Sequence, residues 1–245
     1  MQTADWHNRY QEQAQWTKPL RHYILDKLPL RSDWVSCELG CGTGAILQEL
    51  SSSVNHPIGL DRNLELLTFQ RGPNAFLVNA DAYHPPFQSS SFDFIFCHYF
   101  FLWVADPLAI LKTVRSLLKS GGYLACFAEP DYASRQTLPE QLNKLAILQN
   151  RSLAAQGVNL KVGRQLGQLL TKSGFTIVEY GSMQESYGLS QTLTASEKNV
   201  LRQDCQFLDK KQDSEITQEE LEELLRAEPE RWYVPTYYAL AKLNK

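Results

Sequence analysis

Seven residues, "ELGCGTG" at positions 38–44, carry the first chemical signal of this chain: Gly40, Gly42 and Gly44 at alternate positions, with a carboxylate, Glu38, two residues ahead. Glycines so spaced let a ligand press against bare backbone. Gly40, Gly42 and Ala45 also satisfy the dinucleotide pattern G-x-G-x-x-G/A, and Asp61 follows about twenty residues on, where ribose hydroxyls are paired. A third acid, Asp81, stands in "NADAY". Beside a pyrophosphate, Glu38 would repel; beside an ammonium or sulfonium it attracts. Asp81 can accept a hydrogen bond from an adenine amine. Three carboxylates therefore favour a cationic nucleoside over a diphosphate.

Those residues need strand ends to stand on. "WVSCEL", "HPIGLD", "NAFLVNAD", "FDFIFCHY" and "GGYLACFAEP" read as strands, apolar nearly throughout. "AILQELSS", "RNLELLTFQR" and "LAILKTVRSLLK" read as the helices between them. Asp106-Pro107 is expected to cap the third of these helices, and Gly121-Gly122 to stop it. Such alternation predicts a parallel sheet covered on both faces. A helix is expected before it, from about Trp6 to Leu28, and after it one over "LPEQLNKLAILQNRSLAAQG" and a helix–strand unit, "VGRQLGQLLTKSGFTIVEYGSM". From Leu189 to Glu228 the chain reads as helical and charged, with Thr217 and Glu220 as a capping box. "RWYVPTYYALAKL" is expected to be one last strand, and the serine runs at Ser51 and Ser89 to be turns.

In this order and spacing, "VSCELGCGTG", "IGLD", "NADAYHPPFQSSSFDFIFCHYFFLW" and "LKSGGYLACFAEPDY" resemble the class I S-adenosylmethionine-dependent methyltransferases, small-molecule type. The resemblance implies an α/β, Rossmann-like fold with a seven-stranded, mostly parallel sheet, an antiparallel last strand and helices on both faces. It implies S-adenosyl-L-methionine as cofactor, S-adenosyl-L-homocysteine as product, and Glu38, Gly40, Cys41, Gly42, Gly44, Asp61, Arg62 and Asp81 around them. Ala82 would offer a backbone amide near adenine, and His98 would face the methionine end. His98, Glu129, Asp131 and Tyr132 are the candidate bases for an acceptor that carries a proton. "HPPF", His84 to Phe87, precedes the fourth strand and lacks the Asp or Asn of a motif that grips planar amides, so it reads as a loop.

The implied reaction is methyl transfer to a small or medium organic acceptor. The competing readings are an NAD-dependent oxidoreductase and a non-catalytic cofactor-binding protein of the same fold. One domain is expected over 1–245, with a helical cap at 1–30 and helical insertions at 132–160 and 188–228 forming a substrate lid. Arg9, Gln13 and Trp16 share one face of the first helix, and Arg9 is placed to reach the cofactor's carboxylate.

Bulk properties agree. Hydrophobic residues make up 43% of 245, charged residues 21%, and the net charge is −3, which advertises neither a nucleic-acid nor a membrane partner. The longest apolar run, "FIFCHYFFLWVA", is too short to span a bilayer. Cys37, Cys41, Cys97, Cys126 and Cys205 form no C-x-x-C pair, so buried free thiols, a cytoplasmic setting and no metal are expected.

Overall fold

The computed structural model describes residues 3–50, 57–69, 76–183, 193–210, 216–227 and 230–244. Helix α1 (Thr3–Asp26) precedes strand β1 (Ser36–Leu39), helix α2 (Ala45–Leu50), β2 (Ile58–Asp61), α3 (Leu64–Phe69), β3 (Phe76–Asn79) and β4 (Phe92–Cys97). Then come α4 (Pro107–Leu117), β5 (Leu118–Pro130), β6 (Gln136–Leu138), α5 (Asn143–Ala155), α6 (Val162–Lys172) and β7 (Thr176–Ser182). Helices α7 (Ala195–Lys210) and α8 (Gln218–Arg226) and strands β8 (Arg231–Tyr233) and β9 (Thr236–Lys242) close the chain.

Seven strands form one sheet in the order β3-β2-β1-β4-β5-β9-β7. β9 runs antiparallel to both its neighbours and the remaining pairs are parallel. Successive side chains of a strand face opposite ways, and here both ways are buried. Cys37, Leu39, Ile95, Cys97, Leu124 and Ala241 join α4 and α6 on one side. Phe94, Phe96, Ala125, Phe127 and Leu240 join α1 and α2 on the other. That double burial is why these strands read as unbroken apolar runs. All five cysteines are buried and free.

Local signals mostly hold. Asp106 caps α4, its side chain accepting from the Ala109 N–H at 3.1 Å with Pro107 at the first helical position. Thr217 caps α8, but Glu220 gives its carboxylate to Lys144 of α5 at 2.5 Å, tying the two helices together. Ser89 and Ser90 lie in a turn and "HPPF" in a loop. The other serine run, 51–53, the ends of the helices expected over "AILQELSS" and "RNLELLTFQR", the start of the third strand and residues 188–192, 211–215 and 228 lie outside the described residues.

Three expectations are corrected. α4 ends at Leu117, four residues before Gly121, and both glycines lie inside β5, Gly121 with φ +78°. The closing segment breaks at Val234-Pro235 into two strands, since Pro has no N–H for a ladder. β8 pairs with β6, an unforeseen strand, in a separate two-stranded sheet. Trp232 therefore leaves the main sheet and joins α5, α7 and α8 in a core of their own, with Leu145, Leu201 and Leu221. The two insertions thus pack on each other.

The end of β5 positions the next element. Glu129 is fully buried; one carboxylate oxygen accepts from the Phe100 and Phe101 N–H groups at 3.1 and 3.0 Å, the other from Leu102 at 3.3 Å. Burial pushes its carboxyl up to about 7, against those three donors. Glu129 therefore locks the turn Phe101–Trp103 rather than serving as a base. Glu129→Gln puts an NH₂ opposite an N–H, and should cost about 1–3 kcal/mol in urea unfolding above pH 7; an unchanged midpoint would contradict this role.

Candidate active site

β1 delivers its chain into the loop, and the loop turns on glycines. Gly40 (φ +68°) donates its N–H to the Leu60 carbonyl at 2.8 Å, and a Cβ there would lie 2.5 Å from the Phe100 ring. Gly42 (φ +53°) donates to Asp61 Oδ2 at 2.8 Å, and its Cβ would meet the Tyr10 ring at 2.9 Å. The second Asp61 oxygen accepts from the Asn63 N–H at 2.8 Å. One carboxylate thus fixes both the glycine loop and the entry to α3. α1 lies across the loop: His7 Nδ1 is 2.9 Å from Thr43 Oγ1, and Thr3 bonds Glu65 of α3.

A cavity of about 480 Å³ opens at the carboxyl ends of the strands, within the range of small-molecule sites. Glu38, Gly40, Cys41, Gly42, Asp61 and Arg62 line its floor. Asp81, Ala82 and His98 line it further along. Gly44 does not reach it. Asp81 stands two residues past the end of β3 and accepts from the Tyr83 N–H at 2.9 Å, which turns the chain there. From α1 come Trp6, Arg9, Tyr10 and Gln13; Trp16 is not among the lining residues.

Beyond His98 the walls are aromatic and apolar: Tyr99, Trp103, Tyr132, Leu153, Val200 and Phe207. Gln203 and Asp204 of α7 add polar groups. Asp204 accepts from Ser152 Oγ at 2.5 Å and Gln149 Nε2 at 3.4 Å, and burial raises its carboxyl. Among the candidate bases, Tyr132 and His98 reach the cavity. Asp131 does not: it is fully buried and gripped by both forks of the Arg164 guanidinium, Nη2 to Oδ1 at 2.7 Å. The sequence reading singled out none of the α7 residues in this wall.

Two titratable groups decide the electrostatics. Glu38 is 2% exposed, and its Oε2 has no hydrogen-bond partner among the described residues. Burial holds its carboxyl well above the usual range, while the Arg21 guanidinium pulls it back. Burial, reinforced by Arg21, holds the His98 imidazolium far from favourable, so the ring is neutral at pH 7. Among the described residues no cluster of three or more His, Cys, Asp or Glu is set to hold a metal ion, and no helix is long and apolar enough to cross a membrane.

The strand order, with an antiparallel last strand, is that of a Rossmann-like methyltransferase fold. Residues 37–126 match the family described as a methyltransferase domain. It is 34% identical over 122 residues to the malonyl-[acyl-carrier protein] O-methyltransferase of Marinomonas sp. (strain MWYL1), covering 47% of this chain and 45% of that protein. The trans-aconitate 2-methyltransferase of Agrobacterium fabrum is 34% identical over 114 residues, 44% of this chain and 43% of that one. The matches thus span about half the length of these curated relatives or less. Among solved structures, Haemonchus contortus phosphoethanolamine N-methyltransferase 2 superposes with a TM-score of 0.61 at 14% identity, over 93% of this chain and 53% of that chain.

Asp61→Ala frees the Gly42 and Asn63 N–H groups, so amide exchange across 40–44 and 62–64 should speed up, with global stability lowered by about 1–2 kcal/mol. Unaltered exchange in the loop would show that Asp61 does not hold it.

Proposed function

We propose that this protein transfers a methyl group from S-adenosyl-L-methionine to a small or medium organic acceptor. The observation that carries the reading is Glu38: a buried carboxylate in the cavity wall with one oxygen unpaired. An unpaired buried polar atom is costly, and a cationic amino group beside Oε2 would relieve that cost where a pyrophosphate would add to it. The remaining polar groups suit the same ligand. Asp61 keeps lone pairs for two ribose hydroxyls after accepting its two backbone N–H groups. Asp81 and the Ala82 backbone stand where an adenine edge would lie, and Arg9 is the cation for an amino-acid carboxylate.

When bound, the cofactor supplies an electrophilic methyl group on a sulfonium with a good leaving group. The protein's part is to hold and align. Gly40 and Gly42 let the ligand lie against backbone, and Glu38 and Arg9 fix the two ends of its amino-acid group. Tyr99, Tyr132 and Phe207 exclude water from the acceptor's side. We read α1, residues 132–160 and residues 188–228 as the substrate lid of a single domain. The five buried free thiols support a cytoplasmic setting.

Calorimetry tests the cofactor. S-adenosylhomocysteine should bind with a micromolar Kd, about 8 kcal/mol, and NAD far more weakly; a preference for NAD would sink the reading. Glu38 adds a sign. Its carboxyl is raised in the free protein, and a cationic partner favours ionisation, so binding should release a proton and affinity should rise with pH. Binding heats measured in buffers of different ionisation enthalpy report that proton, and Glu38→Gln should abolish it.

A further inference from the structure

We infer that His98 is a catalytic base, presented to the acceptor through a bare Nδ1, and that the acceptor carries its proton on oxygen; this rests on the methyltransferase reading above. A buried hydroxyl sets the tautomer. Thr17 Oγ1, buried in α1, has four contacts: the Gln13 carbonyl at 2.9 Å, the more distant Ala14 carbonyl at 3.5 Å, His98 Nε2 at 2.8 Å and Arg21 Nη1. A hydroxyl has one proton and two lone pairs. Arg21 can only donate, so it takes one lone pair. The Gln13 carbonyl can only accept, so the hydroxyl proton lies between it and Oγ1; without that proton two oxygens would face each other at 2.9 Å. One lone pair is left for His98, which must therefore donate from Nε2–H. Nε2 carries the ring proton and Nδ1 carries none.

Nδ1 is free to act. Among the described residues it has no hydrogen-bond partner, it is not among the buried unpaired atoms, and His98 lines the cavity. Arg21 is itself locked, fully buried, by Glu49 of α2 and by the Ala14 carbonyl at 2.6 Å. Tyr99 packs its ring edge-on to the imidazole, 4.7 Å between centroids. Thr17 and Arg21 are thus positioning residues: they choose the tautomer and aim the free nitrogen.

The cavity indicates what meets that nitrogen. Arg9 and Arg62 are its only cations among the described lining residues. Arg62 sits beside Asp61 on the nucleoside side, and Arg9 is assigned to the amino-acid carboxylate. No cation is left for an anionic acceptor, whereas the aromatic walls suit a hydroxylated ring. In the step, the acceptor O–H bond breaks and its proton goes to Nδ1. The S–CH₃ bond gives way to an O–CH₃ bond, leaving a methyl ether, S-adenosylhomocysteine and an imidazolium that returns its proton to water. A carboxylate acceptor would need no base.

Nitrogen-15 NMR of the intact protein, saturated with S-adenosylhomocysteine, tests this. His98 should show a protonated Nε2 and an unprotonated Nδ1, and adding hydroquinone, catechol or 2-naphthol at millimolar concentration should shift Nδ1 alone. Thr17→Val should scramble the tautomer and Thr17→Ser restore it. His98→Gln should lower kcat on the responding phenol by about 10²–10⁴-fold. A proton on Nδ1 in the wild type, no Nδ1 shift with any of the three phenols, or undiminished turnover in His98→Gln overturns the inference. Failure to bind S-adenosylhomocysteine at all overturns the methyltransferase reading instead.

Discussion

A carboxylate at the end of a central strand, sealed from water and short of a partner, is the constraint around which this molecule is arranged. Glu38 lies on β1, in the middle of the sheet between β2 and β4, so its backbone cannot move to relieve the side chain. The protein partly compensates with Arg21, and that choice propagates. A fully buried guanidinium needs its own counter-charge and acceptors, which Glu49, Ala14 and Thr17 provide. Thr17 in turn reaches His98 at the end of β4. One buried acid on β1 thereby couples α1, α2 and the end of β4 in a single network.

The same economy governs the backbone. Asp61 closes the glycine loop and starts α3 with its two oxygens, and Glu129 gathers three N–H groups from the turn after β4. Both acids stand at carboxyl ends of strands, where the sheet leaves loops without ladder partners. Carboxylates there serve first as acceptors for backbone that no ladder satisfies. Asp61 and Asp81 show that such an acid can hold its loop and still face a cavity; Glu129 and Asp131 show that it can be consumed entirely by structure.

This distinction marks what was legible in the sequence. The sheet, its helices and the loop around Gly40 and Gly42 were readable because burial on both faces leaves a continuous apolar signature and because glycine alone tolerates the observed φ values there. Asp131 looked like a candidate base because its type and strand-end place fit, but its partner Arg164 lies 33 residues away, and no local pattern announces such a pairing. The break at Val234-Pro235 was visible in hindsight in the proline itself. The departure of β8 to pair with β6 was not, since pairing between strands almost a hundred residues apart depends on the packing of α5, α7 and α8. The α7 residues in the cavity wall were hidden for the same reason.

The most direct test of the central claim is a crystal structure with S-adenosylhomocysteine bound. The account predicts the ligand's amino nitrogen within about 3 Å of Glu38 Oε2, with both ribose hydroxyls on Asp61. A ligand bound elsewhere, or one that leaves Glu38 Oε2 without a partner, would contradict it.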